Sequence, residues 1–489
     1  MANSILDLQP ANVWKHFHAL TQIPRPSGHC AEITDFVENF GKQLGLETLR
    51  DAANNICIRK PATPGYENRP TVILQSHLDM VPQNNADTPF DFTKDKIQTR
   101  IDGNWVKACG TTLGADNGIG VATTMAILEA TDLQHGAIEG LFTTDEETGM
   151  YGAIAVRPGF INGKIMLNLD SELDGELYIG CAGGADVSAQ FHYQDETWIP
   201  IEDIALKISL TGLKGGHSGV DIHLGRANAN QLMFRFLKEA TANYDIRISS
   251  VSGGSLRNAI PREAFAIIIV DGKEKYESLL KLVSAYETIF NLEFAGIENP
   301  ISFQAERIET SGLKLIPKEV QNRLIHAINA CPNNVINRFA EIPDTVETSI
   351  NMAIVQSCEG VTEVKFLARS SSESKKNAIC SSIESLFTLA KADLVETSNG
   401  YPGWDPNPQS KVLVLMENVF EQKRGYKPKV EVMHAGLECG IILSGVPGLD
   451  TVSFGPTICF PHSPDEKVEI ATVQTFWDYL TAILQQIEA

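Results

Sequence analysis

His77 and Asp79 stand two residues apart, just after an apolar run from Thr71 to Leu74 that reads as a short buried strand. A polar cluster at the exit of a buried strand is where α/β folds place their chemistry. His77 offers a neutral imidazole, the commonest protein ligand for zinc-like metals. On an extended backbone Asp79 points to the same side, so it could accept the proton of the other ring nitrogen or hold a neighbour in place. Taken alone, His-x-Asp is an ordinary satisfied turn. Four further clusters change that reading. Gly114-Ala115-Asp116-Asn117-Gly118 precedes a helical segment, where Asp116 or Asn117 would ordinarily be an N-cap. Thr144-Asp145-Glu146-Glu147-Thr148-Gly149 puts three consecutive carboxylates after Leu141-Phe142. In Asn168-Leu169-Asp170-Ser171-Glu172 a strand that begins apolar ends in acid, and Phe460-Pro461-His462-Ser463-Pro464 holds a late histidine between prolines.

Together these segments supply two histidines and several carboxylates from separate strand ends. That set suits two zinc-like ions sharing one carboxylate. Like-charged ions held close together need negative charge between them, which Asp116 could supply. A glutamate left over beside the ions could act as general base. The glycines around Asp116 do not match G-x-G-x-x-G, so no dinucleotide site is indicated.

The elements that must position these residues alternate in type. An amphipathic helix spans Gly28 to Gly45, with Ile33, Phe36, Val37, Phe40 and Leu44 at helical spacing. Strands follow at Asn55–Ile58 and Thr71–Leu74, a loop at Asn84–Thr93, a strand at Trp105–Cys109 and a helix at Gly118–Ala130. Further strands end at Thr143-Thr144 and span Lys164–Leu169. This order predicts an α/β fold, a mostly parallel sheet covered by helices. After the Gly-rich passage Gly180 to Gly184 the pattern becomes alternating, as at Ile204, Leu206, Ile208 and Leu210. An inserted α+β domain with an antiparallel sheet under helices is predicted there. A second pass of similar element order from Pro317 to Leu394 suggests a weak internal duplication. From Asn399 the first texture returns, with a linker or long loop over Gly400 to Pro408, a helix at Lys411–Lys423, strands at Lys429–Met433 and Thr451–Phe454, and a last helix striped by Val473, Phe476, Trp477, Leu480, Ile483, Leu484 and Ile487. The expected domains are 1–186 and 398–489 as one catalytic unit, with 187–397 inserted.

Composition bounds the function. The chain has 489 residues, enough for two domains. A net charge of −21 argues against nucleic acid or an anionic membrane as partner. Nine cysteines with no C-x-x-C fit reduced thiols and a cytoplasmic location. Neither a secretory signal at Met1–Pro10 nor a membrane-spanning apolar run is expected.

The order His-x-Asp, Gly-Ala-Asp-Asn-Gly, Glu-Glu, Asn-x-Asp and a late His resembles the dizinc metallopeptidases that include carnosinases and bacterial dipeptidases, and within them the aminoacyl-histidine (Xaa-His) dipeptidase branch. SHLDMV, LGADNGIG, TTDEETGMYGA, LNLDSE, KGGHSGVDI and LRNAIPRE carry the resemblance over nearly the whole chain. It implies an aminopeptidase-like catalytic domain with an inserted lid domain. It implies two Zn2+ per chain, with Mn2+ or Co2+ as alternatives. His77 and Asp170 would ligate one ion, Glu147 and His462 the other, and Asp116 both. Asp79 would orient His77, and Glu146 would be the general base. In the lid, His217 would stabilise the oxyanion, Asn258 and Arg369 would hold the substrate's C-terminal carboxylate, and Gly436 would touch substrate through its backbone. The implied activity is hydrolysis of unblocked dipeptides, preferentially those ending in histidine. An N-acyl amino acid amidohydrolase of the same architecture and a non-catalytic metal-dependent binding protein remain the alternatives. Oligomeric state stays open, a homodimer being one outcome.

Overall fold

The apolar run before His77 forms the strand Val72–His77, every residue of which is buried. In the computed structural model, which describes residues 4–198, 203–340 and 342–488, this strand is central to an eight-stranded sheet. The strand order is Glu47–Arg50, Ile56–Lys60, Ile138–Thr143, Val72–His77, Ile165–Asn168, Asp450–Ser453, Glu176–Cys181 and Lys429–Met433. Val72–His77 pairs in parallel with Ile138–Thr143 and Ile165–Asn168, and the latter pairs in parallel with Asp450–Ser453. Ile56–Lys60 and Glu47–Arg50 add antiparallel on one side, and Ser453 meets Tyr178 antiparallel on the other. The expected parallel sheet is thus parallel at its centre and antiparallel toward its edges. The short link from Arg50 to Ile56 admits only an antiparallel return. Strands buried on both faces explain the unbroken apolar runs in the sequence.

The helix expected over Gly28 to Gly45 spans Ala31–Gln43, with Ile33 and Val37 buried. Gly28 and Gly45, at φ 80° and 71°, lie outside it. The helix Ala11–Thr21 has no counterpart among the expected elements, although Val13, Trp14, Phe17 and Leu20 form a buried stripe along it. Ala115–Glu129 is buried almost all round, and the non-helical angles of Asp116 and Asn117 place its regular part from Gly118. A small four-stranded sheet joins Ile458–Cys459, Lys467–Glu469, Trp105–Ala108 and Thr99–Asp102. The residues around His462 are therefore the connection of a hairpin, Ile458–Cys459 pairing antiparallel with Lys467–Glu469.

The chain divides into two compact units: Met1–Cys181, Trp404–Val432 and Leu437–Ala489 make one, and Ala182–Gly403 with Met433–Gly436 the other. The second unit is built on a nine-stranded sheet whose pairings are antiparallel. Its two passes join edge to edge where Ser252 and Gly253 pair with Gln356 and Val355. Helices Ala229–Tyr244, Lys273–Glu293, Lys318–Ala330 and Glu373–Leu389 share a core with this sheet, including Phe236, Phe290, Phe303, Phe366 and Phe387. The expected loop from Gly400 begins as strand instead, because Leu394–Tyr401 pairs irregularly along Gly183–His192.

Candidate metal centre

Six of the residues singled out converge at the C-terminal ends of the central strands, where open α/β sheets bind ligands. His77 ends its strand, Asp170 lies two residues beyond Ile165–Asn168, and Glu146 and Glu147 follow Ile138–Thr143 after a left-handed turn at Asp145. Asp116 comes from the kinked start of Ala115–Glu129, where the Asp116–Asn117 peptide is cis, and His462 from the hairpin connection. Asp116 divides its carboxylate. Oδ1 lies 3.1 Å from His77 Nε2, and Oδ2 lies 3.2 Å from His462 Nε2. Asp170 Oδ1 stands 3.4 Å from His77 Nε2, and Glu147 Oε2 stands 2.8 Å from His462 Nε2. Three donor groups result, His77–Asp116–Asp170, His77–Glu146–Glu147 and Asp116–Glu147–His462, each with its ligand atoms within 4.8 Å of one another.

The loop geometry explains the glycines of LGADNGIG. Gly114 has φ 70°, and a Cβ there would sit 2.5 Å from Arg25 Nη2. A Cβ on Gly118 would sit 2.7 Å from the same nitrogen. Asn117 Nδ2 donates to Leu169 O at 2.7 Å, tying this loop to the segment that leads to Asp170. A Cβ on Gly120 would collide with that Asn117 side chain and with Leu169 O.

Asp79 stands between His77 and the Glu146–Glu147 turn. His77 Nδ1 lies 3.1 Å from the backbone oxygen of Asp79 and 3.4 Å from its carboxylate. The carboxylate also accepts the backbone N–H groups of Glu146 and Glu147 and the Ser27 hydroxyl. One carboxylate thus stands beside the His77 ring and holds the Glu146–Glu147 turn.

The electrostatics are those of a site with too much negative charge. Burial, reinforced by Asp170, Glu147 and Glu438, pushes the Glu146 carboxyl well above the usual range despite His77. Asp170 is pushed up to about 6 by burial, with Asp116 and Glu147 adding to it. Burial would raise Asp116 too, but hydrogen bonds from His462 and His77 outweigh it and hold it low. Burial opposes charge on His77, yet Asp170, Asp116 and Asp79 together raise it. Asp116 and Glu147 raise half-exposed His462. Among the described residues Glu147 Oε1 and Asp170 Oδ1 are buried with no hydrogen bond, Asp170 Oδ1 having only the 3.4 Å approach of His77 Nε2. Buried carboxylate oxygens without donors, gathered around paired imidazoles, fit divalent cations.

The remaining residues lie in the second unit. His217 Nδ1 accepts the backbone N–H groups of Gly219 at 3.1 Å and Val220 at 3.0 Å. Those bonds assign the neutral ring's proton to Nε2. Arg369 is 4% exposed. Its Nη1 donates to Tyr401 Oη at 3.1 Å, and among the described residues no carboxylate lies within ion-pair distance of it. A buried guanidinium so placed suits an anion. Asn258 is exposed, and its backbone oxygen accepts the Ser218 N–H at 2.8 Å. Gly436 closes the segment Met433–Gly436, in which His434 Nε2 lies 2.7 Å from Ser349 Oγ.

Several contributors escaped the reading of the chain. Arg25, held between Pro24 and Pro26, and Glu466 are both 2% exposed. Fully buried Glu438 accepts hydrogen bonds from Gln75 and Thr143 under the strand ends, and burial pushes it up to about 7. Arg25 and Glu438 are lone charges in sequence, Glu466 lies between Asp465 and Lys467, and no spacing announces any of them.

Residues 73–486 match the sequence model of peptidase family M20/M25/M40. The cytosol non-specific dipeptidase of Escherichia coli (strain K12) is 43% identical over 487 residues, covering 100% of both chains. The crystal structure of aminoacylhistidine dipeptidase from Vibrio alginolyticus superposes with a TM-score of 0.91 at 45% identity, over 99% of this chain and 98% of that one. The aminopeptidase PepT structure from Bacillus cereus ATCC 10987 shares the fold, with a TM-score of 0.57 at 17% identity over 99% of this chain and 100% of that one.

Proposed function

The chain belongs to peptidase family M20/M25/M40, and from that premise we propose that it is a dipeptidase using two divalent metal ions, zinc first, on unblocked dipeptides with C-terminal histidine favoured. The observation that carries the two-ion reading is the divided carboxylate of Asp116, one oxygen toward His77 and the other toward His462. His77, Asp116 and Asp170 would hold one ion, and Asp116, Glu147 and His462 the other. Such ions supply Lewis-acid activation of water and of the peptide carbonyl.

The protein's own groups do the rest. Glu146 takes a proton from the attacking water as its oxygen bonds to the carbonyl carbon. It then delivers that proton to the leaving nitrogen as the C–N bond breaks. A carboxyl that burial makes easy to protonate suits a group that carries a proton in mid-cycle. His217, with its proton on Nε2, is suited to donate to the carbonyl oxygen as negative charge develops there. Arg369, with Asn258 and the backbone of Gly436, would take the substrate's carboxylate. The preference for dipeptides, and for histidine among them, is supported by the names of the E. coli and Vibrio relatives.

A small soluble substrate, rather than nucleic acid or a membrane, fits a net charge of −21. A cytoplasmic location fits the nine free cysteines and the cytosolic relative. Among the described residues no helix is long and apolar enough to cross a membrane.

The test is histidine release from β-alanyl-histidine and glycyl-histidine by the purified protein as isolated, after chelation and after zinc is restored. N-acetyl-histidine runs alongside. Release from the free dipeptides, lost on chelation and regained with zinc, is expected. Release from N-acetyl-histidine alone would make the protein an acylase instead.

A further inference from the structure

We propose that Glu466 and Arg25 are positioning residues that clamp the 113–116 loop from two sides and thereby set the spacing between the two metal subsites. The inference rests on the two-ion reading above. Glu466 accepts four consecutive backbone N–H groups. Its Oε2 takes those of Leu113 at 2.7 Å and Gly114 at 2.9 Å, and its Oε1 takes those of Ala115 at 2.7 Å and Asp116 at 3.2 Å. Arg25 Nη1 donates to Leu78 O at 2.9 Å and Asp79 O at 3.0 Å, while Nη2 donates to Gly114 O at 2.5 Å. Gly114 is thus held by its N–H from one side and by its C=O from the other.

These contacts join three distant chain segments. Glu466 ends the turn that begins just after His462, its N–H bonded to Ser463 O, so it ties the Asp116 loop to the His462 hairpin. Arg25 ties the same loop to the backbone that leaves His77. The Met80 N–H donates to Arg25 O and strengthens that junction. His77, Asp116 and His462 therefore take their relative placement from one frame of charge-assisted bonds. The frame explains the glycines as well, since side chains at positions 114 and 118 would occupy the place of the Arg25 guanidinium. Bonds from a buried carboxylate to fixed amides have little slack, and a shared carboxylate such as Asp116 leaves the two ions little room to adjust separately.

The experiment is zinc binding to the full-length protein, read by competition with a chromophoric chelator and by metal analysis after dialysis. Wild type is compared with E466Q, E466D, R25K and G118A. Gln321→Ala serves as a destabilised control in the second unit, where it removes buried bonds to Ile248 N and Ile246 O. Glu466→Gln replaces an acceptor oxygen by an amide that opposes two of the four N–H groups. A loss of tenfold or more in affinity for at least one ion is expected in E466Q and R25K, with G118A in the same direction, E466D in between and Q321A unchanged. Wild-type affinity for both ions in folded E466Q and R25K would overturn the proposal. Should E466Q fail to fold, R25K and G118A decide from the other side of the loop. Wild type binding fewer than two ions would instead remove the two-ion reading itself.

Discussion

The carboxylate of Asp79 accepts the backbone N–H of Glu146 at 3.0 Å. It accepts that of Glu147 at 3.2 Å through its other oxygen. One side chain therefore fixes the turn that presents both the proposed base and a proposed ligand to the strand that ends in His77. Asp79→Asn would turn one acceptor into a donor facing an N–H. Turnover is expected to fall roughly 10–100-fold, the usual cost of losing such support, with Asp79→Ala lower still. Steady-state kinetics at saturating zinc check this.

Glu146→Gln keeps the shape of the side chain and removes the proton carrier. Turnover is expected to fall by roughly 10²–10⁴, while two zinc ions per chain remain by metal analysis. Unchanged turnover would take the base role away from Glu146.

Arg369 is buried and has no carboxylate within ion-pair distance among the described residues. If it receives the substrate's carboxylate, Arg369→Lys loses the forked donor geometry. KM for glycyl-histidine is expected to rise about tenfold, the equivalent of ~1.4 kcal/mol. The low activity on glycyl-histidine amide should be the same in both proteins. An equal loss on acid and amide would show that Arg369 acts through the fold instead.

His434 is held at about 3, chiefly by burial and then by Arg369, His217 and His223. Below its ordinary value of about 6.5, the unfolded chain takes up a proton that the folded unit refuses. Stability therefore falls as pH drops from about 6.5 toward 3, with a cost of about 2 kcal/mol at pH 5. Calorimetry at pH 7 and pH 5 should show a smaller drop in melting temperature for His434→Gln than for wild type. Identical drops would mean that His434 does not carry this penalty.

Local residue order singles out the groups that gather at the candidate site. His77, Asp116, Glu147 and Asp170 stand where an apolar strand or a Gly-rich turn stops, His462 stands between two prolines, and strand exits of an α/β sheet face one side. The alternating strands from Ile204 onward likewise declared a half-buried antiparallel sheet. Only the tertiary structure decided which oxygen of Asp116 faces which histidine, that the Asp79 carboxylate holds the N–H groups of Glu146 and Glu147, and that Arg25 and Glu466 grip one loop. The reason is physical. Backbone N–H and C=O groups are the same at every position, so a charge that bonds them leaves no trace in residue type or spacing. Glu466 and Leu113 are 353 residues apart, and only folding brings them to 2.7 Å.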